Sequence, residues 1–406
     1  MPVLPTLSKF AMPFSSLSSD NLLNIFMIML RDQNYQPTGY PIAPASDFIL
    51  TYPANVLWIY GSSIRLNLMK NVTVNIPTSC RCSPTPIDDT HHDIEQLQTI
   101  FKDLHMQNLE ELCMLCINMD EEDTTFTNSP GPFFQGGTPC LNTITVDRVT
   151  CFPSAAPNLT HLNLENEIMS GPMWEYSDFA KMLFGIPSLT ILSMTGPLVD
   201  LDNGTDFDEM LKMGVTLPNL RSLTLFMGQD EESTYVFDEE GEQNIYLAAI
   251  IALFASAPLQ CLFIKGPFLV HIPSILECMH SKVFCFPHVT ELDFNVDAFN
   301  SRYKEIWSQQ DAVTFIQAFP SVERVCLHFE AAAIIDALIG APAAGDLWHQ
   351  LQAMFIRDPG SALPSVQKLV ESRFDAGRSL QELWLGDFGK RPAGASLDQL
   401  EGHVED

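Results

Sequence analysis

Along this chain, apolar side chains fall at three fixed positions of a short recurring phrase, clearest at Leu217-Pro218-Asn219-Leu220-Arg221-Ser222-Leu223-Thr224-Leu225. Written as Pro-x-Leu-x-x-Leu-x-Leu, it returns as Leu159/Leu162/Leu164, Leu189/Leu192/Met194, Leu220/Leu223/Leu225, Leu259/Leu262/Ile264, Val289/Leu292/Phe294, Val322/Val325/Leu327, Leu351/Met354/Ile356 and Leu380/Leu383/Leu385. The first positions lie 29 to 39 residues apart. Alternation of apolar and polar residues predicts a strand with one buried face. A self-similar period of this length predicts a stack of like units. Weaker copies occupy the same frame at Leu7/Phe10/Met12, Leu22/Ile25/Met27, Met69/Val72/Val74, Leu109/Leu112/Met114 and Leu141/Ile144/Val146. One repeat body is expected over 1–386, degenerate in 1–76 and clearest in 139–386. Residues 387–406 read as a polar, frayed tail.

Between the strands, the pattern predicts helices over Asp178–Gly185, Asp206–Met213, Gln243–Ala257, Pro273–His280, Asp311–Phe319, Glu330–Leu338 and Ser365–Ala376. Several strands are launched by a large apolar residue and a proline, as in Ile186-Pro187, Leu217-Pro218, Phe286-Pro287 and Phe319-Pro320. Proline disfavours helix at the residue before it and donates no backbone hydrogen bond, so it ends one element and starts the next. The expected fold is α/β: a curved parallel sheet with helices on the convex side, built from irregular repeats.

Three stretches offer chemistry at first sight. Asp88-Asp89-Thr90-His91-His92-Asp93 mixes imidazole and carboxylate, yet Thr90 and Asp93 fit a helix cap followed by the apolar face Ile94, Leu97, Phe101 and Leu104, and that reading is preferred to a metal site. Cys113-x-x-Cys116 lies in an apolar strand, where residues three apart face opposite ways. Residues 124–138, rich in Thr, Pro and Gly, read as a long loop. A Gly-rich phosphate loop, a His-Glu-x-x-His and a Gly-x-Ser-x-Gly are all absent from the sequence, and Asp387-Phe388-Gly389 stands without the other kinase motifs. No catalytic residue, cofactor or metal is expected.

A formal charge of −29, from 50 Asp and Glu against 21 Lys and Arg, opposes binding to nucleic acid or an anionic membrane. Asp120–Asp123 and the acidic stretch 230–240 read as solvated loops. The apolar runs Leu22–Leu30 and Ile245–Ala257 fall short of the ~20 residues a membrane span needs. With no signal-peptide pattern and ten scattered cysteines, a cytoplasmic or nuclear protein is expected. The sequons at Asn71, Asn158 and Asn203 are read as chance.

The phrases resemble leucine-rich repeats. The irregular unit length, the Phe-Pro and Leu-Pro launches and the terminal copy from Leu363 to Leu383 resemble, more narrowly, the repeat region of fungal F-box/leucine-rich-repeat proteins. That resemblance implies a protein that holds a substrate on its repeats while an F-box engages the adaptor of an SCF-type ubiquitin ligase. Two departures stand out. The Asn that such repeats carry three residues after the last strand position is replaced by Glu167, Pro197, Gly228, Pro267, Asp297 and Glu330, so the ladder between copies must be completed otherwise. An F-box itself is missing or unrecognisable. Residues 17–30 read either as a further strand copy through Leu22, Ile25 and Met27 or as a short amphipathic helix like the opening of an F-box. In the second case the adaptor is a partner. In the first, the chain is a stand-alone scaffold or truncated paralogue.

Side chains between the inward positions would be displayed on the concave face. There Phe226, Phe263, Glu291, Asp293, Asn295, Arg324, His328, Phe355, Arg357, Glu382 and Trp384 form the expected protein-binding surface, because aromatic residues and Arg anchor interfaces.

Overall fold

The computed structural model describes residues 47–51, 71–77, 106–117, 132–133, 137–147, 152–153, 156–166, 173–201, 214–227, 245–266, 272–282, 285–295, 307–327, 331–340, 347–357 and 362–386. Residues 17–30, the 88–104 segment, both acidic stretches, the expected helix Asp206–Met213, His328 and the tail lie outside them. The chain divides into two compact units, Met1–Leu159 and Thr160–Asp406. Both are built on parallel strands.

In the first unit, β1 (Asp47–Thr51), β2 (Asn71–Pro77), β3 (Glu111–Ile117) and β5 (Thr143–Asp147) pair in that order. A short second ladder joins β4 (Pro132–Phe133) to β6 (Phe152–Pro153), so the stretch expected as loop contains a strand. Leu112, Met114, Ile144 and Val146 are buried, as the weaker copies predict.

The second unit alternates strand and helix. Its sheet runs β7 (His161–Glu165), β9 (Ile191–Thr195), β11 (Ser222–Phe226), β12 (Cys261–Lys265), β13 (Glu291–Asn295), β14 (Arg324–Leu327), β15 (Ala353–Ile356) and β16 (Glu382–Leu385), each parallel to its neighbours. A short ladder pairs β8 (Trp174–Glu175) with β10 (Val199–Asp200). The helices are α1 (Tyr176–Phe184), α2 (Tyr246–Leu253), α3 (Ile272–His280), α4 (Gln309–Ala318), α5 (Ala331–Gly340) and α6 (Leu363–Asp375), each overlapping its expected range, and α3 ends at His280 as expected. From α2 onward, each helix packs on the next.

Register follows the sequence phrase. Leu162, Leu192, Leu223, Leu262, Leu292, Val325, Met354 and Leu383 occupy one row across the sheet, and the third position of each copy forms the next row. From β7 to β15 none of these side chains is more than 3% exposed. A slip of one residue would turn every one of them to the opposite face.

The prolines do more than separate elements. Leu189, Leu220 and Val289 N–H donate to the carbonyls of Ile186, Leu217 and Phe286 at 3.1, 3.2 and 3.3 Å, closing turns whose second residue is proline. Proline's fixed φ suits that position. Just beyond the turn, one carbonyl accepts two N–H groups from the following copy: Thr190 O from Arg221 and Ser222 at 2.9 and 3.0 Å, Arg221 O from Gln260 and Cys261 at 2.7 and 2.9 Å, Gln260 O from Thr290 and Glu291 at 2.9 and 3.0 Å. The same pairing recurs at Thr160, Thr290, Glu323 and Gln352, and at Glu110 in the first unit. Side chains reinforce it, since Asn219 Nδ2 donates to Pro187 O at 3.1 Å and Arg221 Nη1 to Pro258 O at 3.2 Å. Where the repeat frame expects an Asn and finds Glu167, the preceding Asn166 is fully buried and donates to Pro197 O at 2.6 Å.

The later copies share an aromatic core. Phe315 has ring centroids of Phe294, Trp307, Phe319 and Trp348 at 5.1, 5.0, 5.2 and 6.4 Å, and Phe286 stacks on Phe319 at 5.7 Å. Trp348 opens a turn that lacks proline, with φ at +44°, a region that bulky side chains rarely adopt. Its indole N–H donates to Phe319 O at 2.7 Å. Arg373 of α6, buried, donates to Trp348 O and Leu351 O at 3.3 and 2.9 Å and through Nε to Arg378 O at 3.2 Å. Burial lowers the Arg373 guanidinium's proton affinity, and Arg378 adds to that. Three backbone acceptors meet its donors.

Replacing Leu223 by Ala should cost about 2–5 kcal/mol in denaturant unfolding, whereas Ser222→Ala should stay within about 0.5 kcal/mol. A matched pair tests the indole bond: Trp348→Phe strands a buried carbonyl and should cost about 1–3 kcal/mol more than Trp307→Phe, whose N–H has no acceptor among the described residues. Equal losses would remove the role given to the Trp348 bond.

Candidate functional site

Alternate residues of the parallel strands form three rows on the sheet face opposite the leucines. Strand pairing sets Cys261, Glu291, Arg324, Ala353 and Glu382 side by side, then Phe263, Asp293, Cys326, Phe355 and Trp384. Phe226 neighbours Lys265, which neighbours Asn295. Adjacent strands lie about 4.8 Å apart, so residues distant in sequence share one surface. Among the residues expected from sequence, Phe226, Phe263, Glu291, Asp293, Asn295, Arg324, Phe355, Glu382 and Trp384 belong to this second unit's sheet and Arg357 directly follows β15, while His328 lies outside the described residues.

Their exposure is uneven. Phe226, Phe263, Glu291, Arg324, Arg357 and Trp384 are half-buried. Asp293 is 3% exposed and Phe355 1%, which corrects the expectation that both are displayed. Phe355 forms a second small apolar cluster with Cys326 and Ala353, against which Trp384 stacks at 6.2 Å with 20° between the rings. The alternation rule assigns these residues to the right face but takes that face to be open.

Lys265 is the neighbour that sequence reasoning missed, although the alternation two residues after Phe263 marks its position. Its Nζ lies 3.8 Å from Asp293 Oδ2 and 5.7 Å from the centroid of Phe263. A cation is thereby held between a buried carboxylate and an aromatic face. The Cys261 thiol points to Glu291 Oε2 at 3.6 Å. These contacts fix charged and aromatic groups side by side on this face.

A different cluster has the ingredients of acid–base chemistry. His280 Nε2 lies 2.9 Å from Asp311 Oδ1, His280 Nδ1 lies 3.2 Å from Thr314 Oγ1, and Ser308 Oγ donates to Asp311 Oδ2 at 2.7 Å. Thr314 is buried, so its hydroxyl is closed to a substrate. Ser308 and Asp311 form the capping box of α4, and His280 ends α3. The arrangement ties one helix end to the next helix start. Burial raises the Asp311 pKa, but bonds from His280 and Ser308, with the charge of His280, outweigh it and hold the carboxyl below its usual value of 3.8. Among the described residues no three His, Cys, Asp or Glu side chains converge to hold a metal ion, and no helix is long and apolar enough to cross a membrane.

No protein-family model matches the chain, and no curated protein matches it. Among solved structures it is similar to a protein from Bacteroides fragilis, at 11% identity and a TM-score of 0.28 over 79% of this chain. The match spans 66% of that protein's length, and a likeness so slight carries no argument about function.

Because folding makes Asp311 more acidic, the unfolded chain takes up a proton there first as pH falls. The stabilisation is therefore complete above 3.8 and lost as pH drops through the lower folded value. Asp311→Asn should destabilise at about pH 6 and flatten the acid limb of a stability profile carried down to about pH 3. A limb of unchanged steepness would mean that Asp311 has no part in it.

Proposed function

We propose that this chain is an irregular leucine-rich-repeat solenoid that binds a protein on its sheet face and performs no chemistry of its own. The observation that supports the reading is the row arrangement: a repeat phrase whose inward positions align strand by strand leaves the intervening residues in continuous rows. Consecutive parallel strands joined by right-handed crossovers carry their helices on one side, leaving the other as the concave face. Half-buried Phe226, Phe263, Arg324, Arg357 and Trp384 are of the kinds that anchor protein interfaces. By resemblance to fungal F-box/leucine-rich-repeat proteins, the role is substrate recognition for an SCF-type ubiquitin ligase in the cytoplasm or nucleus. The second reading is a stand-alone scaffold or truncated paralogue, favoured if residues 17–30 form a strand copy and not the opening of an F-box.

Affinity capture of the tagged chain from its own cells, with and without residues 1–35, separates the two. Recovery of ligase adaptor and cullin only with residues 1–35 present supports ligase attachment, whereas a different partner retained by both forms supports the scaffold. In either case Phe226→Ala with Phe263→Ala should weaken the recovered partner about tenfold or more without lowering the melting temperature by more than a few degrees. Undiminished binding by that variant would remove the sheet face from the proposal.

A further inference from the structure

We draw no further inference here: the strongest candidate, the exposed apolar surface patch of Leu363, Val370 and Phe374 on α6 with Leu383 and Leu385 on β16, carries none, because nothing in the structure shows what covers it.

Discussion

One carbonyl per copy carries the order of this protein. It sits between the launching turn and the strand and accepts two N–H groups from the copy that follows, from Thr160 through Gln352 in the second unit. Because both donors are adjacent residues of one chain, the contact sets spacing and register together. The rows of leucine and the rows opposite follow from that single alignment. The prolines upstream help by contributing no competing N–H and by holding φ where the turn needs it.

Where a copy departs from the phrase, other groups take over. The turn from Trp348 to Leu351 has His349 where most preceding copies of the second unit have proline, and its first residue sits in the left-handed region. The indole bond to Phe319 O and the Arg373 bonds to Trp348 O and Leu351 O hold it there. A buried guanidinium is costly unless its donors are met, so α6 is bound to this turn as firmly as the turn is bound to α6. Asn166 is a similar substitution of means, doing from one residue earlier what the repeat frame assigns to the position of Glu167.

The two faces of the sheet are not simply core and surface. Toward its end, the face opposite the leucines acquires a core of its own around Cys326, Ala353 and Phe355, and Asp293 is buried beside Lys265. The half-buried groups from Phe226 to Arg357 border that closed part. A partner recognised there would meet charges and rings already fixed by their neighbours, which limits the entropy lost on binding.

Much of this is written in the local order of residues. The three apolar positions, the proline launches and the polar gaps determine a parallel α/β arrangement, because a period-two pattern broken by a helical one at a constant interval has few other ways to bury its apolar face. Strand rows, helix positions and the membership of Phe226, Phe263, Arg324 and Trp384 in one face are readable from that pattern alone. What the pattern could not decide is which members of a face are covered. Asp293 and Phe263 occupy equivalent, paired positions, yet one is buried and the other half-buried, since burial depends on segments far away in sequence. The Asn166 ladder bond, the His280–Asp311 tie and the Arg373 bonds to Trp348 O and Leu351 O likewise join residues 22 to 31 positions apart, and only the tertiary structure brings them within hydrogen-bonding distance.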